Sequence, residues 1–244
     1  MTVSPPLDVS ALRDPLGSVL LYAPTDWFDL LADGHDEEAA RARCADLVNR
    51  SYPHKAIGPR QAYTDALMAW RRVLLNQGVI THGVVAVPEG EYGRAVWQIS
   101  AGVVEVPAAN QDVNLGEVLA RRFGQELRGR QVYTESFPTE MGIGMGIISQ
   151  PEVHSADRTE LFPEAAKAEA GVGEGGGAGA ARPLAKLGLA VCLACPPGGG
   201  RGLLVVGTCL DAEQVLAMAS IVALIAGKST FLEDPEPAED GASS

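Results

Sequence analysis

Cys192 and Cys195 stand at the C-x-x-C spacing that supplies half of a zinc site or forms a redox dithiol. Zinc needs a second such pair or suitably spaced histidines. Cys44 and Cys209 stand alone, and none of His35, His54, His82 and His154 has ligand-like spacing. A redox dithiol opens a helix, whose positive end lowers the thiol pKa. Here the pair closes an apolar, strand-like run and leads into Pro196-Pro197. Alternation along a strand sends the two sulfurs to opposite faces. We read small buried thiols, with Cys209 near one of them across the Pro196–Gly202 turn.

Two stretches resemble phosphate-binding chemistry. Met141–Ile148 reads MGIGMGII. A dinucleotide fingerprint, G-x-G-x-x-G, must follow a strand and open a helix. Its third glycine would fall on Ile147, and the chain continues as ISQPE. Gly142, Gly144 and Gly146 instead share a period of two, which makes one bare strand face that a helix or another backbone can approach closely. The second stretch, Gly227-Lys228-Ser229-Thr230, ends like a G-x-x-x-x-G-K-[ST] loop. The first glycine is replaced by Val222, and the stretch follows a helix, where carbonyls repel phosphate. Gly227 as a cap and Lys228 at the negative helix end account for it.

Asp33-Gly34-His35-Asp36-Glu37-Glu38 is rich in ligand-type groups but lacks the spaced oxygens of a calcium loop. Acids there suit a helix start. His82 lies in an apolar strand, and His54 and His154 lie in loops, each without a nucleophile or acid nearby in sequence. No G-x-S-x-G and no H-E-x-x-H is present. We expect no catalytic, cofactor-binding or metal-ligating residues and no cofactor. The carboxylates are plentiful, and one sequence does not pair them in space.

The elements that would position these residues follow from periodicity. Gly17–Tyr22 reads as a first strand, and 36–52 and 59–77 as helices. Ala62, Ala66, Leu67, Trp70 and Leu74 form one apolar stripe on the second helix, which Gly78 stops. Val79–Val87 and Arg94–Val106 pair as a hairpin around Pro88-Glu89-Gly90. Asn114–Arg130 reads as a third helix, and Gln131–Phe137 and Met141–Ser149 as strands joined at Pro138. Leu184–Cys195 and Leu203–Cys209 are further strands, and Asp211–Lys228 is a final helix. The expectation is α+β: an antiparallel sheet of about six to seven strands packed by about four helices, with a long glycine-rich insertion loop. Residues 1–14 read as a flexible N-terminus, 15–232 as a single domain with a disordered insertion at about 151–183, and 233–244 as an acidic disordered tail. Two domains joined by the glycine-rich segment are the alternative.

Composition narrows the partners. The 244 residues are 46% hydrophobic and 20% charged, ordinary for a globular chain, with only 5% aromatic. A net charge of -12 repels nucleic-acid phosphate and anionic lipid, so neither is an expected partner. The apolar run from Val215 to Ala226 spans 12 residues, short of the roughly 20 that cross a bilayer. With no secretory signal pattern at its start, the chain reads as cytoplasmic, its cysteines reduced.

The order of motifs carries a resemblance. Pro24-Thr25-Asp26-Trp27 precedes two helices that end at Gly78-Val79, and Cys195-Pro196-Pro197-Gly198 precedes Leu203–Val206 and an apolar helix. This resembles a group of uncharacterised actinobacterial proteins with a P-x-x-W strand start, and more distantly the PsbP-like α+β layout. The resemblance implies a partner-binding or assembly role, and in actinobacteria an association with a secretion system; the glycine-rich insertion departs from the compact form. The leading expectation is a non-enzymatic interaction or accessory protein with a protein partner or a second copy of itself. One alternative is a small-ligand-binding module with a pocket between sheet and helices; another is an unrecognised enzyme. Trp27, Trp70 and Trp97 are the candidate ligand or partner contacts, because aromatic rings offer large, rigid contact area; the competing reading places all three in the core.

Overall fold

Val191 and Ala194 are buried on opposite faces of one strand, so both sides of the sheet they belong to are covered. The computed structural model describes residues 8–14, 17–24, 27–89, 93–106, 119, 133–154 and 183–232. Its main sheet has seven antiparallel strands. In chain order these are β3 (Phe28–Asp29), β4 (Val79–Glu89), β5 (Gly93–Val106), β6 (Tyr133–Thr139), β7 (Gly142–Ser149), β10 (Gly188–Cys195) and β11 (Gly200–Cys209), and the spatial order is β3-β4-β5-β11-β10-β7-β6. A second sheet places β2 (Gly17–Ala23) between β1 (Asp8–Asp14) and β12 (Thr230–Leu232). A third pairs β8 (Glu152–His154) with β9 (Pro183–Lys186).

The α+β class and the antiparallel sheet agree with the sequence reading. Three helices stand among the described residues where about four were expected: α1 (Glu37–Ser51), α2 (Ile57–Asn76) and α3 (Val215–Lys228). The helix expected over 114–130 lies outside the described residues except for Leu119, which is buried. The glycine-rich segment and the acidic tail lie outside them too. Asp8–Asp14, read as part of a loose N-terminus, pairs along its full length with β2. The expected strand over 184–195 is broken at Leu187, whose N–H donates to the Pro151 carbonyl at 2.7 Å. Pro138 lies within β6, an edge strand, where a missing N–H costs no ladder bond on the open side.

One face of the main sheet carries Trp97, Ile99, Ala101, Ala190, Cys192, Leu203 and Val205. They pack with Val19 and Leu21 of β2 and with Met218, Val222 and Ile225 of α3. A Cβ on Gly207 of β11 would stand 2.5 Å from Val222 Cγ2, so this glycine sets how closely α3 approaches. Behind the opposite face, Val106, Leu119, Met145, Ile147, Leu193 and Cys195 form a second cluster. Leu30, Leu31, Ala40, Cys44, Met68 and Leu74 form a third, between α1, α2 and the β3–α1 link.

MGIGMGII is a strand from Gly142 onward, with Ile143–Ile148 of β7 paired on both sides, to β6 and to β10. Its bare face lies on the α3 side of the sheet, where the helix comes close, and at Gly142 a Cβ would stand 3.2 Å from the Cys195 carbonyl oxygen. Phe137, cross-strand from Gly144, lies over it, and a Cβ on Gly144 would stand 2.7 Å from the Phe137 ring. The GKST stretch closes α3: Ser229 donates its N–H to the Ile225 carbonyl, and Lys228 pairs with Glu140 at 3.1 Å.

A candidate interaction surface on the second helix

α1 and α2 lie side by side, and their outward faces differ in kind. α1 starts on Asp36, whose Oδ1 accepts from the amides of Glu38 and Ala39, with Glu37 and Glu38 in the first turn. Its exposed residues include Glu38, Arg41, Asp46, Asn49 and Arg50, an ordinary solvated face. α2 buries Thr64, Met68, Arg71 and Leu74. Of the apolar stripe expected to face the core, only Leu67 and Leu74 do so. Ala62, Ala66 and Trp70 face solvent, as do Tyr63, Ala69 and Val73.

Arg71 makes this rotation of α2 possible. It is completely buried, donates from Nη2 to the Gly34 carbonyl, and lies 3.6 Å from Glu37 through Nη1. A charged residue thus occupies a core position and apolar ones occupy the surface. Asp65 and Arg72, the charges beside the outer stripe, reach back to α1: Arg41–Asp65 at 2.6 Å and Arg72–Glu37 at 2.7 Å. Tyr63, Trp70 and Val73 are left 40%, 44% and 41% exposed on a helical strip with no charged residue of its own, and Lys55 lies over the Tyr63 ring at one end, its Nζ 5.9 Å from the centroid.

Trp70 is held in place from beneath. On β5, Ser100 alternates with the buried Ile99 and Ala101, so it points toward α2 together with its cross-strand partner His82. The Trp70 Nε1–H donates to His82 Nε2 at 3.4 Å, with the two rings edge to face at 6.1 Å. An indole N–H only donates, so His82 Nε2 must accept and the proton sits on Nδ1. Nδ1–H then donates to Ser100 Oγ at 2.7 Å. The Asp29 carboxylate completes the chain, accepting from the backbone amides of His82 at 3.1 Å and Leu31 at 2.8 Å.

Electrostatics fix the same protonation state. Burial lowers the His82 pKa to about 4, so the ring is neutral near pH 7. Burial raises the Asp29 pKa against the lowering effect of the Leu31 and His82 amides and of Arg43. In this tautomer His82 donates to Ser100 and offers it no basic lone pair. Asp29 reaches the His82 main chain instead of its ring. The histidine–serine contact therefore orients Trp70; it does not activate the hydroxyl.

The structure separates the three tryptophans. Trp27 lies flat on Gly83 of β4, where any Cβ would overlap its ring, and packs against the α3-side core. Trp97 is buried in that core and donates from Nε1 to Gln214 Oε1 at 2.7 Å. Trp70 alone of the three stands half exposed, on the far side of the sheet. Between the sheet and α3, a groove of about 70 Å³ runs along Phe137, Gly146, Cys192, Ala219 and Ala223, and no tryptophan lines it. It is far below the roughly 300 Å³ of a small-molecule site.

All four cysteines are buried as free thiols, and burial pushes the Cys192 thiol up to about 12. Cys192 and Cys195 enter separate clusters on opposite faces of β10. Cys209 pairs across from Gly188, at the other end of the β10–β11 ladder from Cys195 and four ladder positions from the residue opposite Cys192. Among the described residues, no three His, Cys, Asp or Glu side chains converge as a metal site needs, and no helix is long and apolar enough to cross a membrane.

Sequence reasoning passed over His82, Ser100 and Asp29. One signal was present: a histidine inside the apolar strand VITHGVVAV must find a buried partner or remain unsatisfied. Comparisons with protein-family models, curated proteins and solved structures returned no match.

Proposed function

We propose that this chain is a non-enzymatic interaction or accessory protein that docks a protein partner on the outer face of α2, with Trp70 as the anchor. One observation carries the reading: a half-exposed tryptophan, on an uncharged helical strip, is pre-oriented by a buried histidine and serine. Interfaces concentrate their energy in tryptophan, tyrosine and arginine, and a pre-set rotamer removes part of the ordering cost of binding. Tyr63 supports the strip at one end, packed 5.0 Å from Tyr52. The resemblance to partner-binding PsbP-like and actinobacterial proteins, and with it a role beside a secretion system, belongs to this proposal.

Affinity capture with the intact chain from cells that make it tests the reading. A partner held by the wild-type protein should be lost with Trp70→Ala, which costs at least about 2 kcal/mol or roughly thirtyfold in Kd, and retained with Arg50→Ala on α1. Thermal melts of both variants exclude unfolding as the cause. Sedimentation of the purified protein identifies a second copy of the chain as the partner if self-association vanishes in Trp70→Ala. A partner bound equally by the Trp70→Ala protein, or no reproducible partner and no self-association, would overturn the proposal.

A further inference from the structure

At the end of the α1–α2 pair away from Gly34, the two helices open a cleft of about 570 Å³, within the range of small-molecule sites. Arg41 and Asn49 of α1 and Ile57, Arg60, Gln61 and Asp65 of α2 line it. Two guanidiniums face one carboxylate there, on a chain whose net charge is -12.

Arg60 is incompletely served. Its Nη1 donates to Asn49 Oδ1 at 2.9 Å, while its Nε is shut off from solvent without an acceptor. A buried N–H on a charged group is costly to leave unpaired. Among the described residues Arg41 pairs with Asp65, and both side chains are more than half exposed, so that pair exchanges readily for another oxyanion.

The start of α2 adds to the same field. Its N-cap is Ala56, no side chain accepts from its first amides, and no acid occupies its first turn. α1, by contrast, is capped by Asp36 and carries two acids in its first turn. The positive end of a 20-residue helix is thus left unanswered beside Arg60.

We infer that this cleft binds a small organic anion, its carboxylate or phosphate group placed between Arg60 and the open amide end of α2, with Arg41 at the far end of the cleft. Ala45 and the 66% exposed Ile57 provide an apolar wall for the rest of the ligand. The site is separate from the docking strip, since Trp70 does not line it.

Titrating the full chain with citrate and, separately, inorganic phosphate, against sodium chloride at matched ionic strength, tests this by 1H–15N NMR. The expected result is a saturable shift of the Ile57 and Gly58 amides and of the Arg60 Nε–H with at least one probe. Binding should weaken at least tenfold in Arg60→Gln and stay unchanged in Arg72→Gln and Trp70→Ala. Arg41→Gln replaces Arg60→Gln if the latter fails to fold. Saturation by citrate alone assigns a carboxylate ligand, and saturation by phosphate alone assigns a phosphate. Shifts that never saturate with either probe, or equal affinity in the cleft variants and Arg72→Gln, overturn the site.

Discussion

His82 is a side chain whose charge would dismantle what it supports. Protonating Nε2 removes the acceptor of the Trp70 N–H and sets two donors against each other. Its folded pKa is lowered to about 4, whereas an unfolded histidine titrates near 6.5. Between those values the unfolded chain binds a proton that the native chain refuses. The stability His82 contributes is therefore complete above about pH 6.5 and falls as pH drops toward about 4, by up to about 3 kcal/mol. Asp29 acts in the opposite sense: its raised pKa lets the native state take up a proton before the unfolded state does. Denaturant unfolding from pH 7 to 4 should show the decline in wild type, a steeper one in Asp29→Asn, and a flatter profile in His82→Gln. A wild-type profile no steeper than that of His82→Gln would show that the buried ring does not control acid stability.

At the level of elements, close approach is governed by where glycines meet rings and helices. Gly83→Ala would drive a methyl into the Trp27 ring, and Gly207→Ala would press one against Val222 of α3. Each should lower stability by about 1–3 kcal/mol in urea melts, while Gly198→Ala, with open space at its Cβ, should stay within about 0.5 kcal/mol. The strands that carry these contacts were legible: alternation and Pro-Gly turns marked β4, β5, β7 and β11 nearly to their ends. The orientation of α2 was not, for a physical reason. Its sequence offers apolar residues on two sides, and the choice between them depends on Arg71 reaching the Gly34 carbonyl through a tertiary contact. A guanidinium reads as surface in any one-dimensional pattern, so the buried side was misplaced and Trp70 was grouped with the core-facing stripe. β3 is two residues long and β1 is polar, so neither has enough alternation to be seen without its partner strand.

Across the whole molecule, the described chain is closed by contacts between its distant parts. β12 pairs with β2 through Thr230↔Leu20, Phe231↔Val19 and Leu232↔Ser18. The ladder is extended by Tyr22, whose N–H donates to Ser229 Oγ at 3.0 Å across 207 residues of sequence. Ser229 is fully buried, so Ser229→Ala leaves an unpaired amide and should cost about 1–2 kcal/mol, with the denaturant m-value unchanged. An unaltered midpoint would show that water or a shifted strand replaces the hydroxyl. The fold class was readable at this scale because runs of apolar alternation accumulate along the chain. The candidate site was not, because Trp70, His82, Ser100 and Asp29 come from one helix and three strands.

That closing ladder has a consequence during synthesis. While the ribosome is still making α3, β2 can pair with β1 but has no strand for its other edge. The nascent chain thus carries an open β-edge until residue 232 emerges, and among the described strands the last one made seals one of the first.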